Sequence, residues 1–213
     1  MKETIFISGI DTDAGKSYCT AWLGNYLRRE GLKVTTQKFI QTGCTDTSED
    51  IITHRRLMGD PIDNEPWKLT APEIYTYPAS PHLSAIIDKR PVDLDKIDRA
   101  RHELEQQCDV LLVEGAGGLM VPITDSMLTI DYVSSRNLTV ALVTNGRLGS
   151  ISHTLLALEA LASRNIPVKY LLYNTHFDSD PVIAPDTRRF LKQWIAAHSP
   201  LTRYLEVPSM QLK

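Results

Sequence analysis

The sequence predicts an α/β protein built on one doubly wound, mainly parallel sheet flanked by helices, and two patterns carry this prediction. Short runs rich in Val, Ile and Leu recur along the chain, at 4–8, 110–114, 139–145 and 168–174. These runs are continuous rather than alternating in polarity, as is typical of strands covered on both faces. Amphipathic segments separate them. Strands that alternate with helices form right-handed βαβ units and therefore a parallel sheet.

The first amphipathic segment follows the first run. Its apolar side chains recur at helical spacing from Tyr18 to Leu27, and Gly31 is well placed to end the helix. We therefore predict a helix that starts near Gly15 and ends shortly before Gly31.

Two segments in the C-terminal half of the chain also predict helices. Apolar residues from 151 to 161 have helical spacing, with Ser150 or Ser152 available as the N-cap, and a third helix is predicted at about 184–198. The proline-rich stretch at about 59–95 predicts loop and short helix. No linker or repeat is evident, so we expect residues 1–213 to form one domain.

Composition excludes several functional classes. The chain has 213 residues, of which 42% are hydrophobic and 23% charged, as in ordinary globular proteins. A net charge of −3 gives no reason to expect nucleic acid or an anionic membrane as a partner. The three cysteines form no C-x-x-C pair, which argues against a disulfide framework or a cysteine zinc site. Without a signal-peptide pattern or a run of about 20 apolar residues, we expect a cytoplasmic protein.

The segment GIDTDAGKS at 9–17 is the first functional motif. It lies between a predicted strand and a predicted helix, where a phosphate-binding loop of the form G-x-x-x-x-G-K-[ST] is found, although Gly9 stands one residue too early. In such a loop Lys16 reaches the phosphates, the Ser17 hydroxyl binds Mg²⁺, and the helix N-terminus faces the anion. The alternative is a glycine turn capped by a loop side chain, with Lys16 exposed.

Two further segments are predicted to reach the same edge of the sheet. Glu114 ends the run at 110–114, where nucleotide enzymes place a second magnesium ligand, and the glycines after it let the backbone approach a ligand. Lys38 falls near the end of a predicted second strand and would add positive charge where a phosphoryl group is transferred. A solvated strand end explains each residue taken alone.

The segment GSISH at 149–153 opens the predicted helix after the run at 139–145. Its N–H groups and hydroxyls could hold a second anion, such as a carboxylate. From the residues alone, ordinary N-capping is favoured, with His153 a simple helix residue. No Ser/His/Asp or Cys/His order in the sequence supports an acyl-enzyme mechanism.

Together these segments resemble the dethiobiotin synthetase family. That family's loop, G-T-D-T-x-x-G-K-T, has the same five residues between its glycines as GIDTDAGKS. KFIQTG at 38–43 is similar to the family's K-P-x-x-[ST]-G. VEGAGG, SPH at 80–82 and RLGSISH at 147–153 follow in the family's order and spacing. The resemblance covers residues 4 to about 208 and implies a fold of the P-loop nucleoside triphosphatase type.

The resemblance implies an ATP-dependent ligase that requires Mg²⁺. In that family 7,8-diaminopelargonate takes up CO₂ as a carbamate, the carbamate attacks the γ-phosphate of ATP, and the neighbouring amine closes the ureido ring. ADP and phosphate are released. No protein nucleophile is required, so catalysis would be positioning and electrostatic stabilisation. The resemblance also implies a homodimer with the substrate site at the subunit interface.

The resemblance further implies roles for individual residues. Catalysis would fall to Lys38, Lys16 and Thr12, and Mg²⁺ binding to Ser17, Asp50 and Glu114, with Glu49 as the alternative to Asp50. The substrate would contact Thr42, Gly149, Ser150, Ile151 and Ser152. The residues expected around ATP are Asp13, Ala14, Gly15, Lys16, Ser17, Tyr18, Asp50, Glu114, Gly115, Ala116, Gly117, Asn174, Thr175, Val207, Pro208 and Ser209.

Some positions depart from the family pattern, and two other functions stay open. Ile10 and Ser17 each replace a threonine of the family loop, and Thr175 stands where an aspartate often reads the base. A partitioning-type ATPase shares the fold but places a lysine early in the loop, where 11–14 contain none. A nucleotide-binding module without turnover is the other alternative.

Overall fold

The structure, a computed structural model, describes residues 2–208, and its centre is a six-stranded parallel sheet with strand order β10-β9-β8-β1-β5-β2. These strands are β1 (Glu3–Gly9), β2 (Val34–Lys38), β5 (Val110–Gly118), β8 (Thr139–Asn145), β9 (Val168–Asn174) and β10 (Arg203–Val207). Two small pairs lie beside it, parallel β3 (Gln41–Thr42) with β4 (Ile74–Tyr75) and antiparallel β6 (Pro122–Thr124) with β7 (Met127–Leu128). The predicted doubly wound α/β fold is confirmed.

Helices connect the strands. In the described residues they are α1 (Lys16–Arg29), α2 (Glu49–Met58), α3 (Trp67–Thr70), α4 (Pro81–Ile87), α5 (Leu94–Gln107), α6 (Thr129–Ser135), α7 (Ser150–Ala162) and α8 (Ile183–His198), with a 3₁₀ turn at Thr175–Phe177. The three predicted helices correspond to α1, α7 and α8. No helix within residues 2–208 combines the length and the apolar character needed to cross a membrane.

The predicted end of α1 is confirmed in detail. Gly31 has a φ of 86° and donates its N–H to Arg28, while Leu32 donates to Leu27. This pair of hydrogen bonds is a Schellman motif, which satisfies the last carbonyls of a helix when a left-handed residue follows it.

The start of α7 differs from the prediction. Neither Ser150 nor Ser152 is the N-cap, because Gly149 occupies that position with a φ of 95°, and no side chain of the described residues caps this end. The Ser150 hydroxyl turns inward instead and donates to Oδ1 of Asn145 at 3.0 Å. The backbone N–H groups at the start of α7 are therefore left without a side-chain acceptor from residues 2–208.

Three helices of the described residues, α2, α5 and α6, are not predicted by the sequence patterns. α5 buries only Ile97, Ala100, Arg101 and Leu104, a narrow stripe on a highly charged helix. The stretch at about 59–95 does contain loop and short helices, α3 and α4, as predicted. α2 was read only as the location of a metal ligand, although Ser48 caps it by accepting a hydrogen bond from Ile51.

The continuous apolar runs are explained by two hydrophobic clusters. On β1, Phe6 belongs to one cluster while Ile5 and Ile7 belong to the other. β5 alternates in the same way, with Val113 in the first cluster and Leu112 in the second. Since successive side chains of a strand point to opposite faces, each face of the sheet needs its own apolar residues. The sheet is thereby held rigidly between helices.

The carboxyl edge of the sheet gathers the predicted site residues. Lys38 at the end of β2 lies opposite Glu114, and Asn145 at the end of β8 lies opposite Asn174. The chain winds from the central β1 to β2 on one side and later to β8 on the other, and ligands bind at such switch points. β5 does not end at Glu114 as expected but continues to Gly118, across a register shift beside Gly9.

Candidate active site

The loop 9–17 closes tightly at the end of β1. A Cβ atom on Gly9 would lie 2.6 Å from the backbone oxygen of Asp11, and Gly15 has a φ of 85°. Only glycine fits both positions, because one is crowded by backbone and the other is left-handed. The early Gly9 is therefore a requirement of this longer loop.

The start of α1 faces the loop without a side-chain cap from the described residues. Gly15 is its N-cap, and no side chain of residues 2–208 caps this end. Oδ1 of Asp11 accepts from the N–H of Asp13 at 2.9 Å, within the loop. A helix N-terminus with uncapped N–H groups and partial positive charge is suited to bind an anion. The alternative of a simple capped glycine turn does not describe this loop.

Lys16 is buried against the loop and not exposed. Only 5% of the residue is accessible, and Nζ donates to the carbonyl oxygens of Asp11 at 3.1 Å and Thr12 at 2.9 Å. Burial lowers the pKa of Lys16, and the charge of Glu114 opposes that effect. The ammonium group lies where it could exchange loop carbonyls for phosphate oxygens.

Three oxygen-bearing side chains, which could serve as metal ligands, converge next to Lys16. The Ser17 hydroxyl lies 2.5 Å from Oδ1 of Asp50 and 3.0 Å from Oε1 of Glu114. Asp50 reaches this position from the first turn of α2, whereas the neighbouring Glu49 is exposed. The structure therefore favours Asp50 over Glu49 as the acidic residue at this point. A hydroxyl and two carboxylates are hard oxygen ligands of the kind that Mg²⁺ prefers.

Lys38 joins the two carboxylates. Its Nζ is 2.5 Å from Oδ2 of Asp50 and 3.0 Å from Oε1 of Glu114, and it also donates to the carbonyl of Gly115 at 3.1 Å. Burial alone would lower the pKa of Lys38, but Glu114 and Asp50 outweigh burial and raise it. Lys38 therefore stays protonated at neutral pH.

Glu114 is ionised for the converse reason. Burial alone would raise its pKa, but the charge of Lys38 and the hydrogen bond from His54 outweigh burial, so the pKa lies well below the ordinary value. The residue is 1% exposed. A buried carboxylate that stays charged at neutral pH is held by its partners.

A cleft of about 820 Å³ opens above these residues. Most of the residues predicted for the phosphates, metal and substrate line it: Thr12, Asp13, Gly15, Lys16, Ser17, Lys38, Thr42, Asp50, Glu114, Ala116 and Gly117. Ala14 and Gly115 are buried and do not line it. Residues far apart in the chain thus meet in one cavity.

The remaining wall includes residues that sequence reasoning did not select. Pro78 and Ser80 line the cleft, and so do Arg147 and Phe177, with the Arg147 guanidinium over the ring of Phe177 at 3.9 Å. Ser80 begins the SPH segment, so the resemblance contained a signal for it. Phe177 had none, because its place depends on the 3₁₀ turn after β9.

The residues expected near the nucleotide base are joined to one another by hydrogen bonds. Nδ2 of Asn174 donates to the carbonyl of Ala14 at 3.1 Å, and the Thr175 hydroxyl donates to the carbonyl of Val207 at 3.1 Å. The Tyr18 hydroxyl donates to the carbonyl of Pro208 at 2.9 Å. These bonds tie the loop, β9 and the end of β10 together. Contact with a base stays a prediction, and Ser209 lies outside the described residues.

The start of α7 does not reach this cleft. None of Gly149, Ser150, Ile151 and Ser152 is among the described residues that line it. A second, more apolar cavity of about 930 Å³ lies between α7 and the loop after β5, with Ile10, Met120, Val121 and Leu156 in its wall. Ile10 also packs against both hydrophobic clusters, which accounts for an apolar residue at this loop position.

The parallel sheet, with a glycine-bounded phosphate loop at its switch point and a lysine in that loop, defines a P-loop nucleoside triphosphatase fold. A family described as an AAA domain matches residues 3–212, and the ATP-dependent dethiobiotin synthetase BioD 2 of Pasteurella multocida is 41% identical over 205 residues, 96% of each chain. The chain belongs to the ATP-dependent dethiobiotin synthetase family, as the resemblance of its motifs predicted.

Other comparisons agree with this assignment. The BioD 2 enzyme of Haemophilus ducreyi is 43% identical and covers 96% of this chain and 98% of its own. The BioD enzyme of Chlorobaculum tepidum is 44% identical, covering 89% and 80%. Among solved structures, the signal recognition particle receptor FtsY of Elizabethkingia anophelis has a TM-score of 0.52 at 16% identity. The chain spans 61% of that receptor, and the likeness concerns the fold alone.

Proposed function

We propose that this protein makes dethiobiotin from 7,8-diaminopelargonate, CO₂ and ATP, with Mg²⁺, and releases ADP and phosphate. The observation that carries the proposal is that Lys38 and Ser17 each contact the carboxylates of both Asp50 and Glu114, directly beside the phosphate loop. Relatives at 41–44% identity that are named ATP-dependent dethiobiotin synthetases support the substrate and the product.

The reaction balances without a protein nucleophile. One amine of the substrate attacks CO₂ and loses a proton, which gives a carbamate. A carbamate oxygen attacks the γ-phosphorus, ADP leaves, and a carbamic–phosphoric anhydride remains. The second amine then attacks the carbamate carbon, loses a proton and expels phosphate as the ureido ring closes. Negative charge accumulates in succession on the carbamate, on the transferring phosphoryl group and on the departing phosphate. The protein must therefore position these groups and stabilise their charge.

Lys16, Lys38 and Thr12 are proposed to do this. Lys16 can exchange the carbonyl oxygens of the loop for β- and γ-phosphate oxygens. Lys38 projects from the end of β2 into the same cleft, where carbamate and transferring phosphoryl would meet. Thr12 lies in the exposed part of the loop on the substrate side. The added loop length therefore brings polar groups towards a second substrate as well as towards ATP.

The donor set next to Lys16 fits a magnesium ion. In the described part of the chain, no group of three or more His, Cys, Asp or Glu residues could hold a metal unaided. Ser17, Asp50 and Glu114 would bind it together with phosphate oxygens and water, which is how Mg²⁺ usually binds in nucleotide enzymes. When bound, Mg²⁺ neutralises phosphate charge. The positive charges of the two lysines are cancelled by the negative charges of the two carboxylates. A bound triphosphate would therefore need an added cation to neutralise its own charge.

Product formation tests the proposed function directly. With the diamine, bicarbonate, Mg²⁺ and ATP, the purified protein is expected to release phosphate in a one-to-one ratio to dethiobiotin, because ring closure expels the phosphate. Leaving out the diamine should reduce phosphate release to background. Release that is indifferent to the diamine would favour the partitioning-type ATPase, and nucleotide binding without release would favour the non-catalytic module. Parallel reactions with other triphosphates measure base preference.

A homodimer is also proposed, with each substrate bound between two chains. The uncapped start of α7 is suited to a carboxylate but lies away from this chain's own cleft. The apolar face near it is exposed, with Met120 56%, Leu148 88% and Leu156 61% accessible. Thr12 and Val121 line both cavities, so the two cavities are adjacent. A partner's α7 placed on this face could supply the carboxylate site that one chain lacks.

Leu156→Glu is expected to convert the dimer to monomer, since an unpaired charge buried in the centre of an interface costs about 3–5 kcal/mol. Light scattering on a sizing column measures the mass, and the KM for the diamine should rise in parallel. Leu201→Glu is the matched control, because Leu201 is 93% exposed and lies in the turn before β10. A wild-type monomer, or a dimer that survives Leu156→Glu, would contradict the proposed interface.

The proposed reaction also suits a cytoplasmic protein with one P-loop domain per chain. It consumes ATP, and Cys19, Cys44 and Cys108 are free thiols, as is usual in a reducing compartment.

A further inference from the structure

We infer that His54 is a positioning residue, which holds the carboxylate of Glu114 so that one of its oxygens faces the cleft. The inference rests on the proposed role of Glu114 as a magnesium ligand and adds a residue that the motif comparison did not select. His54 is fully buried, and its Nε2 lies 2.6 Å from Oε2 of Glu114.

The two oxygens of Glu114 have separate partners. Oε2 is held by His54, on the side away from the cleft. Oε1 accepts from Lys38 and from Ser17, each at 3.0 Å, on the side where the nucleotide would lie. A metal ion at the cleft would therefore exchange partners at Oε1 only, while the bond to His54 keeps the carboxylate plane in place.

His54 is itself held from behind. Its Nδ1 lies 3.0 Å from the hydroxyl oxygen of Thr36, and that oxygen accepts a hydrogen bond from Arg55 at 2.8 Å. Arg55 in turn binds both carboxylate oxygens of Glu65, at 2.8 and 2.7 Å. With Arg55 as donor to Thr36, the Thr36 hydroxyl hydrogen can point to Nδ1, and Nε2 is the ring nitrogen that donates to Glu114. The chain of bonds thus fixes the ring's orientation.

The same helix supplies the other carboxylate. Asp50 and His54 are four residues apart on α2, so they lie on one face of it. The bond from His54 to Glu114 therefore docks α2 against β5 at the height where Asp50 enters the site. The imidazole of His54 therefore orients Glu114 directly, and it positions Asp50 indirectly by fixing α2.

An apolar residue in place of His54 would leave Oε2 buried without a donor. A buried carboxylate oxygen in that condition turns towards whichever donors it can reach, and here those are Lys38 and Ser17 on the cleft side. Both oxygens would then compete for the same partners. Residues that hold a metal ligand in this way typically change metal affinity by about 10- to 100-fold when removed.

The test measures binding of Mn²⁺, as a magnetic substitute for Mg²⁺, to the full-length protein with ADP, by electron paramagnetic resonance. His54→Leu is expected to raise the dissociation constant of Mn²⁺ by about 10- to 100-fold. His54→Gln, whose amide N–H can reach Oε2, should restore most of the affinity. Thr36→Val removes the hydroxyl that orients the imidazole but leaves His54 in place. It should raise the dissociation constant of Mn²⁺ by a smaller factor. ADP affinity without metal should stay within about threefold of wild type in all three.

Two further variants separate the possible outcomes. Met58→Ala truncates another buried residue of α2 and should lower thermal stability without changing Mn²⁺ affinity. If it shifts Mn²⁺ affinity as much as His54→Leu does, or if His54→Leu binds Mn²⁺ as wild type does, the positioning role is overturned. Glu114→Gln tests the site on which the inference rests. Wild-type Mn²⁺ affinity in that variant would refute the proposed metal ligand, whatever the result at His54.

Discussion

Lys38→Met is expected to lower kcat by about two to three orders of magnitude while ATP affinity changes by less than about threefold. Nζ of Lys38 is buried between the carboxylates of Asp50 and Glu114 and faces the cleft from the end of β2. Its charge matters most when the carbamate attacks and negative charge builds up on the transferring phosphoryl group. Methionine keeps the length of the side chain and removes only the charge.

Steady-state kinetics and ADP titration separate the two effects. Lys33→Met is the matched control, because Lys33 precedes the same strand, is exposed and lies at the opposite end of β2. It should leave both quantities unchanged. Lys16→Met should weaken ATP binding as well as turnover, since Lys16 is proposed to contact the phosphates. If Lys38→Met keeps wild-type kcat, or loses ATP affinity as strongly as Lys16→Met does, Lys38 has no specific role in the transition state.

Gly15→Ala is expected to abolish measurable ATP binding. A left-handed conformation costs a residue with a Cβ about 1–2 kcal/mol. At Gly15 the added Cβ would also lie 2.3 Å from Nδ2 of Asn174, whose hydrogen bond holds the carbonyl of Ala14. Either Asn174 must move and release the loop, or the loop must open at Gly15. Both outcomes displace the N–H groups that would surround the phosphates.

Gly31→Ala is an unusually close control for this change. Gly31 follows the same helix, has a φ of 86° against 85° at Gly15, and has no atom of the described residues within 4 Å of the position of its Cβ. Both variants therefore carry the same backbone strain, and thermal unfolding should show a similar loss of about 1–2 kcal/mol from it. Only Gly15→Ala should lose ADP binding in calorimetry. Equal effects on binding would mean that the contact with Asn174 is unimportant.

Local patterns account for what could be predicted. The buried strands were found because a strand covered on both faces needs apolar side chains at every position, and α1 because its apolar stripe ends at Gly31. The loop was recognised as variant because spacing between glycines is a local property of the chain. By contrast α5 was missed, since a charged helix that buries only four residues has a weak periodic signal. The cap of α7 was misassigned because Ser150 found a partner in Asn145, beyond the helix itself.

The sequence by itself determined the fold class, the family and the identity of most residues that meet in the cleft, because these depend on local periodicity and on motifs read in order. Only the tertiary structure decided how those residues share their bonds. In the folded protein Asp50 rather than Glu49 lies in the site, and Lys16 is buried. One oxygen of Glu114 faces the cleft while the other contacts His54, and the start of α7 lies away from the cleft. Each of these depends on the relative position of elements distant in the chain. No local pattern records such a distance.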